Sequence, residues 1–156
     1  MGSALRTVAL FVGLLALAPG ARASELLQWD QAKVIEFAKQ LEKATAALSD
    51  AFRRQPPPTL GSSQRQPFFR LQQEVRNLRR DSRSLSRALQ RGADRDETLP
   101  SYESLMQTVR SATDIARRVF TSTEIQTRAD AARDVLNQLA PYFDAGFTPL
   151  EPPARR

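Results

Sequence analysis

The sequence predicts an all-α protein, an antiparallel four-helix bundle with up-down-up-down connectivity that follows a cleaved signal peptide. In four segments the apolar residues recur at alternating spacings of three and four, which places them on one face of a helix. Stretches that contain proline or glycine separate these segments. No segment shows sustained two-residue alternation or a run of β-branched residues, so strands are not expected. Four such helices bury their apolar faces together as a bundle.

Residues 1–23 have the features of a signal peptide. Arg6 gives a short basic start, and the apolar run Val8–Ala18 is shorter than the roughly 20 residues that a membrane-spanning helix needs. Ala21-Arg22-Ala23 forms a cleavage site of the small-x-small type, so we expect cleavage between Ala23 and Ser24. The site lacks the cysteine of a lipoprotein, and no later segment is apolar enough to cross a membrane. The protein is therefore expected to be periplasmic or secreted.

The first helix is predicted over residues 29–54. Asp30 is its expected N-cap, and the proline run 56–58 ends it, because proline disfavours helical geometry in the residue before it. Trp29, just before the cap, fits a hydrophobic staple. The apolar stripe consists of Val34, Phe37, Leu41, Ala44, Leu48 and Phe52.

The second helix, predicted over residues 67–91, has the most regular spacing. Pro67 suits its first turn, and Gly92 suits the left-handed position after its end. Ser82 is the one polar residue of the seam, where it can bond to a backbone carbonyl or fix the register against a facing polar group. The seam consists of Phe68, Leu71, Val75, Leu78, Ser82, Leu85 and Leu89.

The third helix is predicted over residues 100–120, with Thr98 or Ser101 as its cap. Its stripe consists of Tyr102, Leu105, Val109, Ala112, Ala116 and Val119.

The fourth helix is predicted over residues 124–145, with Thr123 and Gln126 as a capping box. Its stripe consists of Ile125, Ala129, Ala132, Leu136, Leu139 and Phe143. Gly146 is the expected C-terminal cap, so the bundle covers residues 24–146 and an irregular, proline-rich tail covers 147–156.

Composition excludes several classes of function. The chain has no cysteine and no histidine, and its only methionine after the leader is Met106. Catalytic pairs that need histidine, zinc sites built on imidazole or thiolate, and His/Met haem ligation are therefore excluded. A metal site or an acid/base pair made only of carboxylates remains open. We expect no cofactor and no enzymatic activity.

Positive charge is concentrated in the second predicted helix. Residues 65–95 contain nine arginines but only three acidic residues, which are Glu74, Asp81 and Asp94. Arg79 lies beside a stripe of five arginines that are spaced to share one face outside the seam. The stripe consists of Arg76, Arg80, Arg83, Arg87 and Arg91. Guanidinium groups pair well with phosphate and carboxylate oxygens, so this stripe is the candidate binding site.

The expected partners of the stripe are anionic lipid, an acidic polymer or an acidic envelope protein. Nucleic acid is disfavoured by the expected compartment. The rest of the charge is modest: the full chain carries 23 basic and 17 acidic residues, of which the leader contributes two arginines. The bland interpretation, a solvated helix face, also stays open.

Two other functions are open from the sequence. Aromatic residues could line a pocket for a small apolar ligand between helices, although the same spacing fits an ordinary core. They are Phe37, Phe52, Phe68, Phe69, Phe120, Phe143 and Phe147. An enzyme based on carboxylates and arginines has less support, because Asp94, Asp96 and Glu97 lack calcium-loop spacing and Asp130 and Asp134 lie among arginines that can pair with them.

The expected architecture resembles the exported b-type cytochromes that form four-helix bundles, in shape only. That family holds haem with a methionine near the start and a histidine near the end. This chain has no methionine in its first predicted helix and no histidine in its last, so the haem function does not carry over. Periplasmic helical chaperones are a second comparison, but their repeated Leu-Thr-x-x-Gln motif is absent here.

Overall fold

A computed structural model describes residues 26–151 and confirms the all-helical class. Within this range there is no strand, and four helices pack against each other. The helices are α1 (Gln31–Arg54), α2 (Arg65–Gln90), α3 (Arg95–Ala116) and α4 (Thr123–Leu139), and a short 3₁₀ turn (Ala140–Tyr142) follows. None of the helices in this range is both long and apolar enough to span a membrane. The predicted leader, with its cleavage site after Ala23, lies outside the described residues.

The first two helices match the apolar patterns that predicted them. Asp30 caps α1, because its carboxylate accepts a hydrogen bond of 3.1 Å from the backbone N–H of Lys33. All seven residues of the α2 seam are buried. Gly92 has a φ of 92°, the left-handed conformation expected just after this helix.

One polar contact joins the two seams. The hydroxyls of Ser82 and Thr45 are 2.7 Å apart and both residues are buried. One hydroxyl donates to the other, and the second then donates to a carbonyl of its own helix, that of Arg79 at 3.1 Å for Ser82 or that of Leu41 at 2.9 Å for Thr45. When Thr45 is the donor, Ser82 has both of the bonds expected for a polar residue in a helical seam.

The third helix begins at Arg95 rather than near residue 100. Its N-cap is Asp94, which forms a capping box with Glu97: each side chain accepts the backbone N–H of the other residue at 3.0 Å. Thr98 and Ser101, the expected caps, lie inside the helix, and so does Pro100. The helix ends at Ala116, because the next residues form tighter bonds such as Val119 N–H to the Ala116 carbonyl at 3.2 Å.

The fourth helix also differs from its prediction at both ends. Its cap is Ser122, whose hydroxyl accepts from the N–H of Ile125 at 3.4 Å, so the expected capping box of Thr123 with Gln126 does not form. Regular helix stops at Leu139 because Pro141 has no N–H to continue the ladder. The chain continues as the 3₁₀ turn, and Gly146 is not a left-handed cap.

Two helices each have two main neighbours. Helix α1 packs against α2 and α4, and α2 packs against α1 and α3. The start of α1 lies beside the end of α2, since the Gln31 amide donates to the Leu89 carbonyl at 3.1 Å. The end of α1 lies beside the start of α4, where Arg54 and Glu124 form an ion pair of 2.6 Å. Helices α3 and α4 therefore each pack on one main helical neighbour.

Candidate anionic-surface interface

The five predicted arginines all lie exposed on one side of α2 and just after it. At 3.6 residues per turn, their spacing confines them to an arc of about 80° opposite the buried seam. From Arg76 to Arg91 this arc extends about 22 Å along the helix. We call this set the basic face; it consists of Arg76, Arg80, Arg83, Arg87 and Arg91.

Two of the five are partly neutralised by ion pairs. Arg80 lies 3.1 Å from a carboxylate oxygen of Asp81, and Arg83 lies 3.6 Å from one of Glu42 on α1. Both arginine side chains remain more than half exposed to water, whereas the Asp81 side chain is only 11% exposed. Both arginines can therefore exchange these partners for an external anion.

The other three arginines have no carboxylate within ion-pair distance in the described part of the chain. Arg76 bonds instead to neutral partners, chiefly the side-chain carbonyl of Gln73 at 2.7 Å. Arg87 and Arg91 form neither an ion pair nor a side-chain hydrogen bond within residues 26–151. Three guanidinium groups of the basic face are therefore available for an external anion.

Arg79, which the sequence places beside the stripe, points toward α1. Its guanidinium lies 3.3 Å from a carboxylate oxygen of Asp50. Asp50 also pairs with Arg53 at 2.6 Å. Arg79 therefore connects α2 to α1 and is not part of the basic face.

Charge is unequal between the two halves of the helical chain. Helix α2 carries seven arginines against one glutamate and one aspartate, and α1 carries five basic against three acidic residues. Helix α3 carries two arginines against four carboxylates, and α4 two against three. Anions are therefore attracted to the side that α2 presents.

The aromatic residues are mostly part of the core. Phe52 and Phe68 face each other across α1 and α2 with ring centres 6.0 Å apart, and both are buried. Trp29 packs edge-on against Phe143, beyond the end of α4, at 5.4 Å, which is a contact between helices rather than a hydrophobic staple within α1. Phe120 differs, because 84% of its surface is exposed.

Three of the five carboxylates singled out in the sequence, Asp94, Glu97 and Asp130, have local structural partners. Asp94 and Glu97 are engaged in the capping box of α3. Asp130 pairs with Arg133 at 2.6 Å. No group of three or more potential metal ligands comes together among residues 26–151.

An open cleft beside α3 was not predicted from the sequence. It has a volume of about 710 Å³ and is lined by Leu99, Tyr102, Glu103, Met106, Gln107, Arg110, Phe143 and Asp144. The ring of Tyr102 stacks on that of Phe143 at 4.5 Å. Its buried hydroxyl has no hydrogen-bond partner among residues 26–151, and burial, followed by the nearby Asp144 carboxylate, raises its pKa to about 12. Apolar spacing along α3 could not reveal this cleft, because it depends on where the chain turns after α4.

Comparisons with other proteins do not identify a relative. No protein-family model matches the chain, and neither a curated protein nor a solved structure matches it.

Proposed function

We propose that this protein is an exported, non-catalytic helical module that binds an anionic surface or partner through the basic face of α2. The observation that carries the proposal is the exposure of five arginines along about 22 Å of one helix, three of them without a carboxylate in reach within residues 26–151. Such a row offers several paired donors to phosphate or carboxylate oxygens at once. Anionic lipid, an acidic polymer and an acidic envelope protein share this chemistry.

The proposal includes the finer organisation of the chain. We propose cleavage after Ala23, residence in the periplasm or outside the cell, and up-down-up-down connectivity. The contacts of α1 at both ends support that connectivity, and so does the bond of 3.2 Å from the Phe120 N–H to the Gln64 side chain, which brings the end of α3 to the start of α2. In this arrangement the basic face lies along the side of the molecule.

Vesicle binding tests the proposed interface. The chain that begins at Ser24 should co-sediment with vesicles containing acidic phospholipid and not with neutral vesicles. Each basic residue near such a surface contributes about 1 kcal/mol, so five give useful but reversible binding. Raising the salt to physiological strength should weaken it, because the screening length falls to about 8 Å.

A triple variant assigns the binding to the basic face. Replacing Arg80, Arg83 and Arg87 with glutamine should weaken binding to acidic vesicles without changing the thermal melt. The control replaces Arg110 and Arg128, which are exposed on α3 and α4, with glutamine and should bind as the parent does. If the first triple variant binds as well as the parent at low salt, the basic face is only a solvated surface.

A second candidate function is binding of a small, mainly apolar ligand in the cleft beside α3. The cleft itself favours it, because its volume of about 710 Å³ suits a small molecule and Leu99, Met106 and Phe143 give it apolar walls. Such binding would be insensitive to salt and would not respond to the triple arginine variant. These two responses distinguish the candidate from the basic face.

A further inference from the structure

Large apolar side chains are exposed at one end of the helices. Two loops meet there, residues 55–64 between α1 and α2 and residues 117–122 between α3 and α4, and α2 begins beside them. They are tied by two bonds of 3.2 Å, from the Phe120 N–H to Gln64 and from the Ser122 N–H to Gln55. We call these loops together with residues 65–70 the loop end.

Three of the five exposed large apolar residues in the described range belong to the loop end. Leu60 and Phe120 are each 84% exposed, far more than any other, and Phe69 is 40% exposed. Leu60 and Phe120 lie on different loops, so no single helix accounts for them. Their exposure leaves apolar surface in water that burial elsewhere would stabilise.

The same end is rich in arginine. Arg65 holds its guanidinium over the Phe69 ring, 5.4 Å from the centroid. Two further exposed arginines pair with carboxylates, Arg53 with Asp50 and Arg54 with Glu124. The other three, Arg70, Arg117 and Arg118, are exposed and form no ion pair in the range the structure describes.

We propose that the loop end inserts into the interface of a bilayer that contains acidic phospholipid, with Leu60 and Phe120 entering the acyl region and the arginines meeting the phosphates. Apolar side chains combined with basic residues are what interfacial lipid binding uses. The isolated side chains on two loops form no groove, whereas a stable protein interface needs roughly 800 Å² per partner. A fluid bilayer accepts separate protruding side chains without a matching shape.

This site is separate from the basic face. Helix α2 extends about 39 Å away from the loop end, and the basic face lies along its side. A flat membrane therefore meets either the loop end or the whole basic face, but not both over their full extent. When the loop end is inserted with α2 perpendicular to the membrane, the basic face stays free to bind another acidic partner.

Paired substitutions test the insertion. In the chain that begins at Ser24, which contains every described helix, Leu60→Ser together with Phe120→Ser should weaken binding to acidic vesicles by roughly a hundredfold, about tenfold for each large apolar side chain. The melt should not change, because both side chains are exposed. The matched control, Leu26→Ser with Leu27→Ser, removes exposed apolar surface at the other end and should bind as the parent does.

A tryptophan reporter tests depth directly. Trp29, the only tryptophan of the chain, lies at the opposite end beside Phe143, so it reports little on the loop end. In Phe120→Trp, addition of acidic vesicles should shift the emission to shorter wavelength, and brominated acyl chains should quench it. The parent protein, with Trp29 alone, should show neither change.

The outcomes separate this inference from the proposed function. Loss of binding in the loop-end pair with normal binding of Arg80, Arg83 and Arg87 variants supports insertion and removes the basic face as the lipid site. The reverse pattern means flat electrostatic docking and overturns the insertion. Unchanged emission of the Phe120→Trp variant on bound vesicles also overturns it, as does an equal loss of binding in the control pair at the other end.

Discussion

Single buried polar groups in this protein differ in how well they are satisfied. The hydroxyls of Ser82 and Thr45 are hydrogen-bonded to each other inside the core. The sequence predicts a bond of this type, since a lone serine among apolar positions needs a partner. The sequence does not predict Thr45 as this partner, because the apolar stripe of the first helix contains the neighbouring Ala44 and not Thr45. Tyr102 is the contrasting case: the sequence places it in the apolar stripe of the third helix, yet its hydroxyl is buried without a partner in the part of the chain that the structure describes.

Stability at high pH should depend on Tyr102. Its pKa is raised from 10.0 to about 12 in the folded protein, mainly by burial. The folded state therefore holds this proton more tightly than the unfolded state, so stability is intact below pH 10 and falls as the pH rises toward 12. We expect a loss of about 2 kcal/mol over that range. Denaturant melts of Tyr102→Phe should lack this loss, whereas Tyr142→Phe should keep it, and an equal fall in the Tyr102→Phe variant would contradict the assignment.

At the scale of helices, apolar spacing predicted the interiors well and the ends less well. The α2 seam is buried throughout because burial of a long stripe outweighs local preferences. The ends depend on single hydrogen bonds: Asp94 caps α3 where Thr98 or Ser101 was expected, and Pro141 stops α4 before residue 145. Several serines, threonines and aspartates can cap each start, so spacing alone does not choose among them. The arginine stripe was predictable because exposure follows from position relative to the seam, but its ion pairs were not.

Helix α2 offers a direct test of face assignment. Leu78 is 6% exposed in the seam, and Arg80 lies on the opposite side. Leu78→Ala should lower the free energy of unfolding by about 2–5 kcal/mol, the range for truncating a buried leucine. Arg80→Ala should change it by no more than about 0.5 kcal/mol, because the Arg80 side chain is 72% exposed and Asp81 keeps its bond of 2.9 Å from the Thr108 hydroxyl. Denaturant melts measure both, and the opposite ranking would mean that the helix faces are reversed.

At the scale of the whole molecule, a short segment before α1 contacts the residues that follow α4. The N–H of Leu27 donates to the Pro141 carbonyl at 3.0 Å, and Arg95 donates to the Leu27 carbonyl at 2.8 Å. Trp29 then packs on Phe143 and lies under the Arg95 guanidinium, 5.2 Å from the ring centre. This short segment holds the start of α1 to the end of α4, and cleavage after Ala23 leaves all of it in place.

Truncation from the N-terminus should therefore leave the stability unchanged as far as Ser24 and lower it once the residues before Asp30 are removed. The exported protein should have Ser24 as its first residue by mass spectrometry, and the chain that begins there should show the same thermal melt as the full chain. A chain that begins at Asp30 keeps the N-cap of α1 but loses Trp29 and the bonds of Leu27, so it should be less stable by at least about 2 kcal/mol. Retention of residues 1–23 in the exported protein would contradict the cleavage. An unchanged melt from the shorter chain would mean that residues 26–29 do not stabilise the packed helices.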